Sequence, residues 1–172
     1  MNRYRGTVWR HVPVGAVPQH LGWILKAARG RWNTQRPRMP CLYTALTPEG
    51  AIAELDKHAE QFAGRRRRRD LVSLAVEVHQ VLDLTSRFVR ARHRLHAARL
   101  VGDTPADLAY CRAIAREFVL EQGYGAIRAP SAAVADRQNL IIYTLRTDHI
   151  RRLDDGPDRV TIQPGYRWPP PA

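Results

Sequence analysis

The sequence contains few cysteines and no long hydrophobic run. Its 172 residues include two cysteines, Cys41 and Cys111, which are too few for a disulfide framework. No apolar stretch approaches the roughly 20 residues that a membrane-spanning helix needs. The first ten residues, MNRYRGTVWR, lack the apolar segment of a signal peptide. We therefore expect a cytoplasmic protein with reduced thiols and no membrane association.

The sequence also lacks the usual signatures of metal and phosphate binding. No glycine-rich phosphate loop follows a predicted strand, and neither a paired CxxC motif nor a His-x-x-x-His pattern occurs. We therefore expect no bound metal and no resident cofactor. Helix-turn-helix, zinc-finger and aromatic RNA-stacking motifs are missing as well, which argues against direct nucleic-acid recognition.

Charge is the most unusual property of the chain. Lysine and arginine number 28 against 16 acidic residues, a formal net charge of +12, and the two lysines are Lys26 and Lys57. No acidic residue precedes Glu49, and residues 65–69 are an unbroken arginine run that suits either a solvated loop or a docking patch. The surplus indicates an anionic partner: a nucleotide, a nucleic acid or an acidic protein. A basic, non-enzymatic nucleic-acid-binding protein is one hypothesis that this composition supports.

The predicted elements are strands interleaved with helices. Short segments rich in aromatic or β-branched residues predict strands at 6–12, 41–46, 71–78, 80–84, 124–129 and 140–145, with 159–162 a further candidate. We expect the strands at 71–78 and 80–84 to pair with each other. This pattern predicts an α+β protein with one domain over residues 1–155 and a proline-rich tail over 156–172.

Two helices have clear start signals. Thr47-Pro48 and Thr104-Pro105 each combine an N-cap threonine with a proline at the first helical position. Gly123 is expected to end the second helix. Residues 87–101, which contain five arginines and no acid, suit a basic helix, and we expect His93 and His96 on the surface. Apolar residues at helical spacing predict the buried faces: Ile52, Leu55, Ala59 and Phe62 in the first helix, and Leu108, Cys111, Ala115 and Phe118 in the second.

Four short motifs contain the candidate site residues. They are GRWN at 30–33, LYTALTPEGAIAEL at 42–55, APSAAV at 129–134 and NLIIY at 139–143. Each residue alone also suits a structural role: a surface charge, a core aromatic, a solvated helix position or a turn. The candidate residues within these motifs are Arg31, Trp32, Tyr43, Glu54, Ser131 and Asn139.

In their order and spacing, these motifs resemble the RES domain family, which is named for an Arg, a Glu and a Ser. The resemblance covers residues 5 to 146. It implies a bent mixed β-core with surrounding helices, similar to the fold of ADP-ribosyltransferase toxins. It also implies a toxin of a bacterial toxin–antitoxin pair that degrades NAD by phosphorolysis or hydrolysis. NAD is then the substrate, and inorganic phosphate is the co-substrate in the first case.

The resemblance further implies a helix-turn-helix antitoxin that covers the active site. Contact with DNA would then be indirect, through the antitoxin, and the toxin would form an oligomer with it. Transfer of ADP-ribose to a macromolecule is an alternative, because the same site could serve another acceptor.

The residue types suit cleavage of the nicotinamide–ribose bond. Nicotinamide leaves as a neutral group, so a ribosyl cation forms that a carboxylate such as Glu54 can stabilise. Arg31 can bind the pyrophosphate through charge-assisted hydrogen bonds, and Trp32 and Tyr43 can stack on the nicotinamide ring.

Two neutral side chains complete the expected site. Ser131 and Asn139 offer polar contacts to the ribose or the amide. No histidine has a spacing that marks it as a base for Ser131. We therefore expect Glu54, Arg31 and Ser131 in catalysis, and Arg31, Trp32, Tyr43, Ser131 and Asn139 in NAD binding.

Overall fold

The computed structural model describes residues 2–15, 30–34, 39–61, 68–143 and 150–162, with the backbone alone for residues 60–61 and 150–162. The strands within these ranges are β1 (Tyr4–Pro13), β2 (Cys41–Ala45), β3 (Arg69–Val78), β4 (Val81–Asp83), β5 (Ala126–Pro130), β6 (Gln138–Tyr143) and β7 (Ile150–Ile162). The helices are α1 (Pro48–Gln61), α2 (Arg87–Arg92), α3 (Ala97–Val101) and α4 (Pro105–Ala115), which continues as a π-helix over Arg116–Glu121. The α+β class predicted from the sequence is confirmed.

The strands form one mixed sheet in the order β4-β5-β6-β2-β1-β3-β7. Neighbouring strands are antiparallel, except that β4 runs parallel to β5. Register shifts between β3 and β7 fall between Val72 and Leu74 and between Ala75 and Val76. Such irregularities bend a strand and increase its twist.

The expected pairing of the strands at 71–78 and 80–84 is wrong. Both edges of β3 are occupied, one by β1 and the other by β7. The turn before β4 contains Gln80 with a φ of 54°, and the N–H of Val81 donates to the carbonyl of Asn2. The chain therefore leaves β3 and adds β4 at the opposite edge of the sheet.

The last strand is longer than the predicted segment 159–162. β7 runs from Ile150 to Ile162 and pairs with β3 along that length. It passes without interruption through residue 155, where the sequence suggested the end of the domain. The remainder of the proposed tail, residues 163–172, lies outside the described residues, as do Phe62 and arginines 65–67.

The sheet buries apolar side chains on both faces. In β6, Ile141 and Tyr143 belong to the cluster under α3, α4 and the π-helix, whereas Leu140 and Ile142 belong to the cluster on the other face. This alternation follows from the two-residue period of a strand. Because the central strands are covered on both sides, polar side chains at their ends are the ones left to form a site.

Helix α1 starts at the predicted signal. The N–H of Gly50 donates to the Thr47 side-chain oxygen over 3.1 Å, as expected for an N-cap. Ile52 and Leu55 are buried in a cluster with Trp9, Ala45, Ala51 and Leu71. Glu54 lies off this face and is partly exposed, as the spacing predicted.

Helix α4 also starts as predicted, because Thr104 accepts from the N–H of Asp107. Cys111, Ala115 and Phe118 are buried, and Gly123 ends the segment with a φ of 80°. The wider π-helical turn over Arg116–Glu121 was not predicted. It places both Phe118 and Val119 in the core.

Residues 87–101 form two short helices, α2 and α3, rather than one. The break contains Arg94 with a φ of 54°. His93 is partly buried against the edge of the Phe118 ring, with ring centroids 4.9 Å apart, so its surface assignment is corrected. His96 is exposed, as expected. No helix among the described residues is long and apolar enough to cross a membrane.

Candidate active site around Glu54

Three neighbouring strands place the candidate polar residues at one end of the sheet. Ser131 directly follows β5, Asn139 is the second residue of β6, and Glu54 lies on α1, which follows β2. Asn139 is in register with Ala129 of β5 and with Ala45 of β2. Because these strands are antiparallel, the end of β5, the start of β6 and the end of β2 meet at the same end of the sheet.

One oxygen of Glu54 receives two hydrogen bonds. Ser131 Oγ donates to Glu54 Oε1 over 2.8 Å, and Asn139 Nδ2 donates to the same atom over 2.7 Å. The second oxygen, Oε2, receives no hydrogen bond from the described part of the chain. The carboxylate is therefore fixed on one side and retains acceptor capacity on the other.

The Ser131 side chain is fully engaged. Its Oγ donates to Glu54 and accepts from the backbone N–H groups of Ala133 at 3.1 Å and Val134 at 3.3 Å. The backbone N–H of Ser131 donates to the carbonyl of Arg137 and closes the loop. All three hydrogen-bonding positions of the hydroxyl are therefore occupied, which fixes the side chain between the loop and Glu54.

Asn139 contributes one unsatisfied atom. Its Nδ2 binds Glu54, while its Oδ1 is buried without a hydrogen-bond partner among the described residues. A buried acceptor without a partner is costly, and such atoms occur at functional sites.

Arg31 belongs to a second polar cluster beside Glu54. Its Nη2 lies 2.6 Å from Asp103 Oδ1, and its Nη1 donates to the carbonyl of Gly102. Asp103 Oδ2 lies 2.7 Å from Lys57 Nζ, and Lys57 also donates to the carbonyl of Ala132 over 2.6 Å. Lys57 is one helical turn from Glu54, and Ala132 is next to Ser131. The two clusters are therefore connected through Lys57.

Asp103 is held as a carboxylate by its two cationic partners. Partial burial alone raises its pKa, but the hydrogen bonds and charges of Lys57 and Arg31 outweigh burial and lower the pKa below its ordinary value. Its side chain is 48% exposed, whereas Arg31 and Lys57 are 12% and 21% exposed. The anion of this cluster therefore faces solvent more than its cations do.

The GRWN segment is fixed by two tyrosines. The Tyr43 hydroxyl accepts from the Trp32 N–H over 2.8 Å and donates to Asn33 Oδ1 over 3.0 Å, and the Tyr143 hydroxyl donates to the Trp32 carbonyl. A Cβ atom on Gly30 would lie 2.3 Å from the Tyr43 hydroxyl oxygen. Glycine is therefore required at position 30 by this close approach.

Burial keeps the phenol and thiol groups of this region neutral. Desolvation raises the pKa of Tyr43 well above its ordinary value and raises that of Cys41 to about 12. Asn33 Nδ2 donates to Cys41 Sγ and to the carbonyl of Met39. A thiol with this pKa is no nucleophile at neutral pH.

The expectation for Trp32 is corrected. Trp32 is 3% exposed and packs in the core cluster with Met39, Cys41 and Tyr143. Its ring therefore has no free face on which a nicotinamide ring could stack. Tyr43 is partly exposed, but its hydroxyl is used to hold Trp32 and Asn33.

The structure joins Glu54, Ser131 and Asn139 directly, and it links Arg31 to them through Asp103 and Lys57. Lys57, Asp103 and Asn33 were not predicted as site residues from the sequence. Lys57 could have been noticed, because it is one of two lysines and lies one turn after Glu54. No pattern identified Asp103, which reaches the site from the loop between α3 and α4. The described residues contain no group of three or more His, Cys, Asp or Glu side chains that could hold a metal ion.

Comparison with known proteins identifies the family to which this chain belongs. The sequence model of the RES domain matches residues 7–162. The chain is therefore a member of the RES domain family, as the motifs suggested.

Among solved structures, a chain of the crystal structure of the M. tuberculosis MbcT–MbcA toxin–antitoxin complex has the same fold. The TM-score is 0.71 at 18% sequence identity, with 94% of this chain and 86% of that chain covered. No curated protein matches the chain in a sequence comparison.

Proposed function

We propose that this protein is a toxin that degrades NAD by cleaving the nicotinamide–ribose bond. The observation that carries the proposal is the Glu54 carboxylate, which Ser131 and Asn139 fix through one oxygen. Membership of the RES domain family and the fold shared with a chain of a toxin–antitoxin complex support it.

The proposed role of Glu54 follows from the charge changes in the reaction. As the bond from ribose C1′ to the pyridinium nitrogen breaks, its electron pair moves to nicotinamide, and positive charge develops on the ribose. A carboxylate already fixed in place stabilises this charge without reorganising in the transition state. Oε2, which has no partner among the described residues, is the oxygen that would face the ribosyl cation or a ribose hydroxyl.

The other residues would bind and position. Ser131 and Asn139 hold the carboxylate, and Arg31 supplies positive charge for the pyrophosphate. An oxygen of water or of inorganic phosphate then bonds to C1′ and loses its proton to solvent. Water yields ADP-ribose, and phosphate yields ADP-ribose-1″-phosphate.

We further propose that an antitoxin covers this site. A chain with the same fold was crystallised in a toxin–antitoxin complex. The net charge of +12 on the present protein also suits a partner with an acidic segment. A helix-turn-helix antitoxin would also account for indirect contact with DNA. Co-expression with the adjacent open reading frame should restore growth and yield a complex that co-purifies, and failure of both would contradict this part of the proposal.

Product analysis tests the chemistry. Purified protein is incubated with NAD, with and without inorganic phosphate, and the products are resolved by mass. Free nicotinamide with either ADP-ribose or ADP-ribose-1″-phosphate supports the proposal and identifies the acceptor. A mass increase on an added protein or nucleic acid, without free ADP-ribose, would indicate transfer to a macromolecule instead. Intact NAD after prolonged incubation would contradict the proposal.

A further inference from the structure

The exposed carboxylate of Asp103 bridges two largely buried cations, Arg31 and Lys57, near Glu54. Asp103 Oδ1 binds Arg31 at 2.6 Å, and Asp103 Oδ2 binds Lys57 at 2.7 Å. The cations come from distant parts of the sequence, Arg31 from the GRWN motif and Lys57 from α1. Asp103 approaches from a third element, the loop between α3 and α4.

Both cations also have hydrogen-bond partners other than Asp103. Arg31 also donates to the carbonyls of Gly102 and Val101, and Lys57 donates to the carbonyl of Ala132. Asp103 has a side chain that is 48% exposed and lies in a loop between helices. Of the three charged groups, the carboxylate is the one that can leave while the other two keep their positions.

The remaining pair has the chemistry of a phosphate site. A guanidinium supplies a planar set of donors, and an ammonium adds a compact charge with three donors. A carboxylate that bridges them with one oxygen on each cation occupies the positions that two phosphate oxygens would take. Lysine is rare in this chain, since two of its 28 lysine and arginine residues are lysines, and Lys57 is one of the two.

We propose that Arg31 and Lys57 together bind a phosphate group, and that Asp103 occupies this site as an internal anion until the ligand displaces it. The proposal rests on the proposed function, which supplies two sources of the group: the pyrophosphate of the dinucleotide and inorganic phosphate as acceptor. With either source, the phosphate would lie at Lys57, one helical turn from Glu54. Lys57 is therefore a ligand-binding residue of the same site.

The test measures binding without turnover. Inorganic phosphate and ADP-ribose are titrated separately against the wild type, Lys57→Met and Asp103→Asn by calorimetry. Loss of one charge-assisted contact should weaken binding to Lys57→Met by about 10- to 100-fold for the ligand whose phosphate uses the site. Removal of the competing carboxylate in Asp103→Asn should strengthen binding of the same ligand by about tenfold.

The two ligands distinguish the sources of the phosphate. Effects on ADP-ribose alone assign the pair to the pyrophosphate, and effects on inorganic phosphate alone assign it to the acceptor. Arg116→Met, at an exposed cation that is 61% accessible, is the matched control for the change in net charge and should bind like the wild type. Lys57→Arg should retain most of the affinity if charge is what matters.

Two results would overturn the inference. The first is binding of both ligands by folded Lys57→Met within about twofold of the wild type. The second is weaker binding by Asp103→Asn, since that would make Asp103 a structural support and not a competitor. Because no step requires NAD cleavage, a protein that binds phosphate here but leaves NAD intact would contradict the proposed function and retain this site.

Discussion

Ser131 and Glu54, 77 residues apart in the sequence, are joined by a hydrogen bond of 2.8 Å between Oγ and Oε1. The bond connects the loop after β5 to the helix after β2. With the second bond, from Asn139, it turns a helix-surface carboxylate into a fixed group. Substitutions of the two donors should therefore affect turnover more than ligand affinity.

Ser131→Ala is expected to lower both stability and activity. The substitution removes the donor to Glu54 and leaves the N–H groups of Ala133 and Val134 without their acceptor. Such losses cost about 1–3 kcal/mol, and each kcal/mol lowers Tm by about 2–4 °C in a chain of this size. We expect kcat for nicotinamide release to fall while KM for NAD changes little. A variant with unchanged kcat would contradict the positioning role of Ser131.

Asn139→Asp replaces a donor to Glu54 with a second carboxylate. Two carboxylates in contact repel each other, so we expect lower stability at neutral pH, and the loss should diminish as the pH falls and one carboxyl group is protonated. Thermal unfolding of the variant and the wild type across pH 4–8 measures this. Equal stability of the two proteins across that range would show that Asn139 does not support the Glu54 carboxylate.

Gly30→Ala should destabilise the fold through overcrowding. The new Cβ atom would lie 2.3 Å from the Tyr43 hydroxyl oxygen and 2.6 Å from Asn33 Oδ1. Overpacking of this kind costs about 1–3 kcal/mol. Because the hydroxyl is one clashing atom, Gly30→Ala and Tyr43→Phe should couple in a double-mutant cycle, with the double variant less destabilised than the sum.

A matched glycine provides the control for this cycle. A Cβ on Gly6 would lie 3.1 Å or more from its nearest neighbours, which are atoms of the Tyr4 side chain, so Gly6→Ala should change Tm much less. Additive effects of Gly30→Ala and Tyr43→Phe would mean that the close approach does not determine the residue at position 30.

The ion pairs of Asp103 should make the free energy of unfolding depend on pH. Its two cationic partners lower its pKa below the ordinary 3.8, so its ion pairs contribute stability that is present above about pH 3.8 and is lost as the pH falls further. The stability difference between the wild type and Asp103→Asn should therefore be constant near neutrality and shrink below that pH. Urea unfolding at several pH values measures it, and a difference that grew on acidification would have the wrong sign.

The sequence predicted local features better than long-range pairing. The threonine caps at residues 47 and 104 and the stop at Gly123 depend on neighbouring residues, and they were predicted correctly. The partner of β4 depends on which sheet edge is free, which no local pattern encodes. The π-helical turn after α4 was missed as well, and it buries two consecutive residues, Phe118 and Val119, which helical spacing alone does not predict.

The structure brings some of the predicted site residues into contact and buries another. Glu54, Ser131 and Asn139 lie in motifs whose order the family resemblance fixes, and the structure brings them into contact. Trp32 has a residue type that suits stacking, but its ring is buried in the core, and the sequence alone does not show that burial. Asp103 lies in a loop without a motif, so only the folded chain shows that it neutralises Arg31.

The Glu54→Gln variant tests the central claim most directly, by the rate of nicotinamide release. Glutamine keeps an oxygen that can accept from Ser131 and Asn139, so stability should change by only about 1 kcal/mol. Loss of the charge should lower turnover by about 100- to 1000-fold, with KM for NAD little changed and toxicity lost. Glu121→Gln, at a carboxylate that is 61% exposed, is the matched control and should retain full activity. A folded Glu54→Gln variant that releases nicotinamide within about threefold of the wild-type rate would contradict the role of Glu54.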